Sequence, residues 1–241
     1  MLYTLLNRIN LRRVEECRTL IRWLGPRPGE RILDVGCGDG SNAEAIARRG
    51  ALVTGIEVNR ERLAIANRKS VGSRIAFHLM NAEQMELEDE SFDKAVSFCV
   101  IEHFRQDHRV LAHLNRVLKP KGMLVLSADS LSNPEITDAE RNAHRRRYAV
   151  NTFYTIETVR KKLDEAGFQL ERAKYILTTP LTLTLVRLSW RLDDLSSRLT
   201  SLKALGYLAL RFVGKPLSDL SEHFAGRRDS GLTLLVRARK R

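Results

Sequence analysis

Cysteine is scarce in this 241-residue chain, and the few present do not pair by spacing. Cys17, Cys37 and Cys99 are odd in number and form no C-x-x-C. That pattern argues against a disulfide scaffold and a cysteine zinc site, and fits a reducing, cytoplasmic setting. Long apolar runs are missing as well. The longest weakly polar stretch, residues 175–186, contains Pro180 and falls short of the roughly 20 residues that cross a bilayer. The first ten residues have no basic stretch ahead of their apolar ones, so they do not read as a signal peptide. Acidic residues are outnumbered, 29 against 41 Lys and Arg, for a formal charge of +12. Such an excess favours an anionic partner: nucleic acid, an acidic lipid surface or a phosphorylated substrate. With 43% hydrophobic residues and no internal repeat, the chain is long enough for one core with an elaboration.

The chain is organised around residues 32–40, Ile-Leu-Asp-Val-Gly-Cys-Gly-Asp-Gly, an apolar strand running into a glycine-rich turn. Three glycines in five positions let the backbone approach a ligand closely, and the helix that follows turns its free N–H groups toward the turn. A dinucleotide site would carry glycine at position 41, where this chain has Ser41, and here the strand delivers Asp34 into the pocket. The turn therefore points to a cationic ligand rather than a polyphosphate.

Strand and helix alternate through most of the sequence. Leu2, Leu5, Leu6, Ile9, Val14, Cys17, Leu20, Ile21 and Leu24 recur at helical spacing before the first strand. Further strands read at 52–58, 74–79, 91–98, 123–127 and 168–178, with helices at about 60–69, 106–118 and 155–166. The rhythm implies right-handed βαβ units and a mostly parallel sheet with helices on both faces. It breaks at 181–212, where Leu185, Leu188, Leu192, Leu195, Leu199 and Leu202 suggest a seven-residue seam flanked by Arg187, Arg191, Arg198 and Lys203. A last strand begins at Gly231. We expect an N-terminal helical cap (1–29), a core (30–178) with a lid at about 129–154, a helical insertion (179–226), and a final strand with a basic tail (227–241).

Six motifs in this order carry a resemblance: residues 32–40, Glu57 closing the second strand, Asn81-Ala82-Glu83, Phe92-Asp93, Ile101-Glu102-His103, and residues 118–122, Leu-Lys-Pro-Lys-Gly. Together they resemble the class I S-adenosylmethionine-dependent methyltransferases that act on quinones, lipids and other small molecules. The resemblance implies an α/β, Rossmann-like, mostly parallel seven-stranded sheet whose last strand is antiparallel. It also implies that Asp34, Gly36, Cys37 and Gly38 hold the amino acid end of S-adenosyl-L-methionine and that Glu57, with Val58 beside it, meets the ribose. Asn81, Ala82 and Glu83 would meet the adenine, and Cys99 would lie against the cofactor. Glu57 also follows Asp34 by the interval at which a strand-end carboxylate reaches ribose hydroxyls. Some relatives carry an additional acid where this chain has Cys99, forming a metal site with the Glu-His pair; Cys99 removes that ligand, and no required metal is expected.

On the acceptor side, His103 is the candidate base because it follows the fourth strand, and ordering of the loop is its alternative role. His144 with Arg141, Arg145, Arg146 and Arg147 forms a candidate clamp for a phosphate or carboxylate. Tyr148, Phe153 and Tyr154 are candidate pocket walls. The leucine-rich segment has three open readings: a cap on the domain, a homodimer contact over 181–212, or a basic amphipathic surface on an anionic membrane. The function expected is methyl transfer to a small, lipid-like or anionic acceptor. Nucleic-acid methylation is the charge-driven alternative, disfavoured because residues 97–100, Ser-Phe-Cys-Val, lack a polar-Pro-Pro-aromatic signature. A non-catalytic, cofactor-binding subunit is a third.

Overall fold

Residues 32–35, 95–98 and 124–128 are buried one after another, without the alternation of a half-exposed strand, as expected of parallel strands covered on both faces. The computed structural model describes residues 11–69, 74–195, 199–226 and 228–241, and these runs form the centre of its sheet. In chain order the elements are α1 (Leu11–Leu24), β1 (Arg31–Val35), α2 (Ser41–Ala47), β2 (Leu52–Glu57), α3 (Arg60–Lys69), β3 (Ile75–Leu79), β4 (Phe92–Phe98) and α4 (Asp107–Val117). They continue as β5 (Leu118–Asp129), α5 (Asp138–Tyr148), α6 (Ile156–Glu165), β6 (Phe168–Ile176), α7 (Pro180–Asp194), α8 (Thr200–Ala209), α9 (Lys215–Ala225) and β7 (Thr233–Lys240).

Seven strands lie in the order β3-β2-β1-β4-β5-β7-β6. The pairs among β1 to β5 are parallel, and β7 runs antiparallel between β5 and β6. Adjacent residues of β1 serve opposite faces: Leu33 packs with Val110, Leu111 and Leu114 of α4 and Leu163 of α6. Ile32 packs with Leu20 and Leu24 of α1, Ile46 of α2 and Val186 of α7. The expected fold class is the observed one, with two helical layers around a twisted parallel sheet.

Two elements differ from the sequence expectation. β5 runs on to Asp129, and this extension carries an acid to the C-terminal edge of the sheet. The leucine seam is not one helical stripe. α7 ends at Asp194 and Leu195 adopts an extended conformation (ψ 142°), so Leu185 and Leu192 sit on a different helix from Leu202. The chain instead folds back, and a heptad count cannot see a break that comes from tertiary packing of α8 on α7. Of the residues counted toward these helices, Leu2, Leu5, Leu6, Ile9 and Arg198 lie outside the described residues.

The insertion is anchored by polar contacts. Thr179 caps α7, with Pro180 in its first turn. Glu222 of α9 accepts from the backbone N–H groups of Thr178 (2.6 Å) and Thr179 (3.0 Å). Lys215, buried at the start of α9, donates to Glu15 of α1 at 3.0 Å and to Asp219.

The turn after β1 sets the sharpest steric requirement in the fold. Gly36 has φ +70°, and a Cβ there would stand 2.6 Å from the Val100 side chain. Gly38 has φ +57°, but a Cβ there would meet nothing within 4 Å. Gly36→Ala should therefore lose about 2–5 kcal/mol, combining left-handed backbone strain with overpacking, and Gly38→Ala only about 1–2 kcal/mol from strain. Urea unfolding of the two variants checks the difference; equal losses would contradict it.

Candidate functional site

The C-terminal ends of β1, β2, β4 and β5 meet at one edge of the sheet, where ligands bind in open α/β folds. Around the glycine turn, Asp34 is fully buried and neither carboxylate oxygen has a hydrogen-bond partner among the described residues. Burial, and secondarily the nearby Glu57 carboxylate, pushes the Asp34 carboxyl up to about 7. Glu57 is held in place by backbone: it accepts from Gly38, Val58 and Asn59 N–H groups, each at 2.9 Å. Val58 itself is exposed. The Gly36 and Cys37 N–H groups both donate to the Ile56 carbonyl, at 2.9 and 3.0 Å, which ties the tips of β1 and β2 together.

S-adenosylmethionine, the cofactor the resemblance implies, fits these residues. Its ammonium group suits a buried carboxylate without a partner, the space at Gly38 is what a Cβ would begin to fill, and Glu57 retains acceptor capacity for a hydroxyl. The adenine-side expectation meets a more local arrangement. Asn81 accepts from Glu83 N–H at 3.0 Å, Ala82 is buried, and Glu83 accepts from Gln106 N–H at 2.8 Å at the start of α4.

A second group of buried polar residues lies at the ends of β4 and β5. His144 Nε2 donates to Asp129 Oδ2 at 2.6 Å, and both side chains are almost fully buried. Tyr148, Trp190 and Phe153 surround the imidazole, with ring centroids at 4.5, 5.7 and 6.2 Å. Cys99 N–H donates to Ser127 Oγ at 2.8 Å, and Ser127 in turn donates to the buried Glu16 of α1. The Cys99 thiol and the carboxylates of Glu102 and Asp129 all lie within 4.8 Å of one another. Cys99 thus shares a buried cluster with Glu102 and Asp129, and the expectation of no required metal considered Cys99 without counting Asp129.

Several expected acceptor residues stand elsewhere. Tyr154 is fully buried in the core, its hydroxyl bonded to Asp107, which also pairs with Lys162 at 2.7 Å. Burial and that carboxylate drive its phenol far above the ordinary range, so it is a structural residue rather than a pocket wall. The arginine clamp is dispersed. Arg145 is exposed and stacks over Phe153 at 5.0 Å, Arg141 pairs with Asp138 at 2.6 Å, and Arg147 pairs with Asp194 at 2.8 Å. His103 is exposed, its Nδ1 3.3 Å from the Ala149 carbonyl. The sequence reasoning missed Asp129, Ser127, Glu16 and Trp190. Glu16 did leave a signal: it is a lone acid on the buried stripe of an amphipathic helix, one turn before Leu20.

Residues 33–126 match the model of the methyltransferase domain. The matched segment runs from β1 into β5 and holds the glycine turn. The chain is 35% identical over 113 residues to a ubiquinone biosynthesis O-methyltransferase of Pseudomonas aeruginosa, covering 44% of this chain and 49% of that protein. It is 31% identical over 156 residues to a 27-O-demethylrifamycin SV methyltransferase of Amycolatopsis mediterranei, covering 61% and 57%. The match thus spans about half the length of these curated relatives. In fold, the chain resembles an S-adenosylmethionine dependent methyltransferase from Mesorhizobium loti, with TM-score 0.68, 21% identity, and 96% and 100% coverage. It also resembles phosphoethanolamine N-methyltransferase 2 of Haemonchus contortus, with TM-score 0.69, 19% identity, and 94% and 52% coverage.

The Asp34 carboxyl makes a pH-dependent prediction. Its folded pKa lies above the ~3.9 of an unfolded Asp, so the native state holds a proton that the unfolded chain releases. The ligand-free protein should lose stability as pH rises from about 4 to about 7, and Asp34→Asn should remove that loss. Thermal unfolding at pH 5 and pH 8 checks it: the variant should gain over wild type at pH 8 and little at pH 5. An equal gain at both pH values would show that Asp34 does not titrate in this window.

Proposed function

We propose that this chain transfers the methyl group of S-adenosylmethionine to an oxygen of a small, lipid-like acceptor. The observation that carries the reading is the buried His144–Asp129 pair, a proton acceptor set at the sheet edge that also bears the glycine turn. The match to the methyltransferase domain supports the reaction class, and the activities of the Pseudomonas and Amycolatopsis relatives, both methyltransferases of small molecules, support the acceptor class.

When bound, S-adenosylmethionine supplies a methyl group already activated on sulfur, so the chain's task is alignment, exclusion of water and management of one proton. Asp34 and the 36–38 backbone hold the amino acid end, and Glu57 holds the ribose. His144 takes the proton of the acceptor hydroxyl. The Asp129 carboxylate at Nε2 orients the ring and stabilises the imidazolium that forms. The aromatic group of Tyr148, Phe153 and Trp190 suits an apolar or aromatic acceptor better than a phosphate, because Arg141 and Arg147 are paired with Asp138 and Asp194 and Arg145 stacks on Phe153. A non-catalytic subunit would have no use for such a buried base.

Two measurements test this reading. Calorimetry with S-adenosylhomocysteine should show binding that Gly38→Arg and Glu57→Ala abolish; retained affinity in both would remove the cofactor assignment. Transfer of labelled methyl to a prenylated catechol should fall about 10²–10⁴-fold in kcat for His144→Ala, with cofactor affinity unchanged. His103→Ala should change kcat little, and the reverse ranking would restore His103 as the base.

A further inference from the structure

The helical unit that includes α8 and α9 leaves a large apolar surface in solvent. From Thr200 to Ala225 the chain is continuously helical, α8 running through a single π-turn segment, Leu210–Gly214, into α9. The face turned to the protein carries Tyr207 and Leu210, and in α9 it becomes polar, with Gly214, Lys215 and Ser218 buried and Ser218 bonded to Thr182 of α7 at 2.9 Å. The face turned to solvent carries Leu202, Leu205, Leu208, Phe212, Val213, Leu217, Leu220 and Phe224, spaced by three and four residues apart from the adjacent Phe212 and Val213. Phe212 and Phe224 are 72% and 79% exposed. Asp219 is the charged residue on that face, and it is paired with Lys215. A helix normally turns its apolar stripe inward, and an apolar stripe of about 33 Å facing out marks a surface that is covered in use.

We infer that this face lies on an anionic lipid bilayer, with the stripe in the headgroup region and the basic residues around it on lipid phosphates. Charge selects the occupant. Arg191 on the outer side of α7, Arg211 beside Phe212, and Arg228 just beyond α9 have no ion-pair partner among the described residues. The chain carries +12, so a second copy would approach with like charge, and an anionic surface approaches with opposite charge. The geometry is that of an interfacial helix, except that the polar face is turned into the protein instead of into water. The same insertion walls the acceptor side: Trp190 of α7 stands 5.7 Å from His144, so the surface that meets lipid and the residue that lines the site are on adjacent helices. This inference stands apart from the reaction assigned above, since binding to lipid needs neither donor nor acceptor.

Flotation of the full chain with phosphatidylcholine vesicles, with and without phosphatidylglycerol, tests it. The chain should float with the anionic vesicles at low salt, and added salt should release it. The double variant Phe212→Ser/Phe224→Ser should lower the bound fraction about tenfold or more at equal thermal stability. No flotation of the wild type, or equal flotation of the variant, would overturn the inference. So would light scattering that finds a wild-type dimer which the variant converts to a monomer, because the stripe would then be a subunit contact.

Discussion

The Val100 side chain stands where a Cβ on Gly36 would have to be, and the rest of the site depends on that contact. It brings the turn after β1 against the turn after β4 at van der Waals distance. The first turn carries the carboxylate and backbone suited to a cofactor, and the second leads into Cys99, Glu102 and, through Ser127, the acids of the acceptor side. A larger residue at 36 would separate the two groups, and alignment within about an ångström is most of what a methyl transfer asks of a protein.

Five acids are buried at this edge of the sheet, Glu102 beside Asp129 among them, and four of them differ in how their charge is met. Glu57 is compensated by three backbone N–H groups and Asp129 by an imidazole. Glu16 receives the Ser127 hydroxyl. Asp34 is left to desolvation, which moves its carboxyl toward neutrality instead of finding it a partner. That difference distinguishes a residue waiting for a ligand from residues that build the walls, because a buried charge without a partner is costly and persists only where function requires it.

The insertion shows the same logic with the signs exchanged. Its inner face is held by Lys215, Ser218 and Glu222 through ion pairs and hydrogen bonds, which are directional and fix α9 against α1 and the end of β6. Having satisfied its polar groups inward, the helix presents its apolar residues outward. The helical periodicity of leucine was visible in the sequence, but its direction was not. Spacing reports that one side differs from the other and carries no information on which side the protein occupies.

The fold was legible because alternation of strands and helices, glycine at the β1 turn and acids at strand ends are local properties. The sheet type, Asp34, Gly36, Gly38 and Glu57 all followed from residues near one another in sequence. The buried cluster around His144 and Asp129 was not legible, since its members come from α1, β4, β5, α5 and α7 and meet only when the sheet and insertion assemble. Tyr154 and His144 illustrate the division: both lie in one basic and aromatic segment, and tertiary burial sent the first into the core against Asp107 and the second to Asp129 at the site. The sequence by itself determined the glycine turn and the strand-end acids beside it, which lie on short turns between consecutive elements. Only the tertiary structure decided the buried cluster around His144 and Asp129 and the outward face of the insertion, because these depend on which buried acids find partners and which side of a helix the core takes.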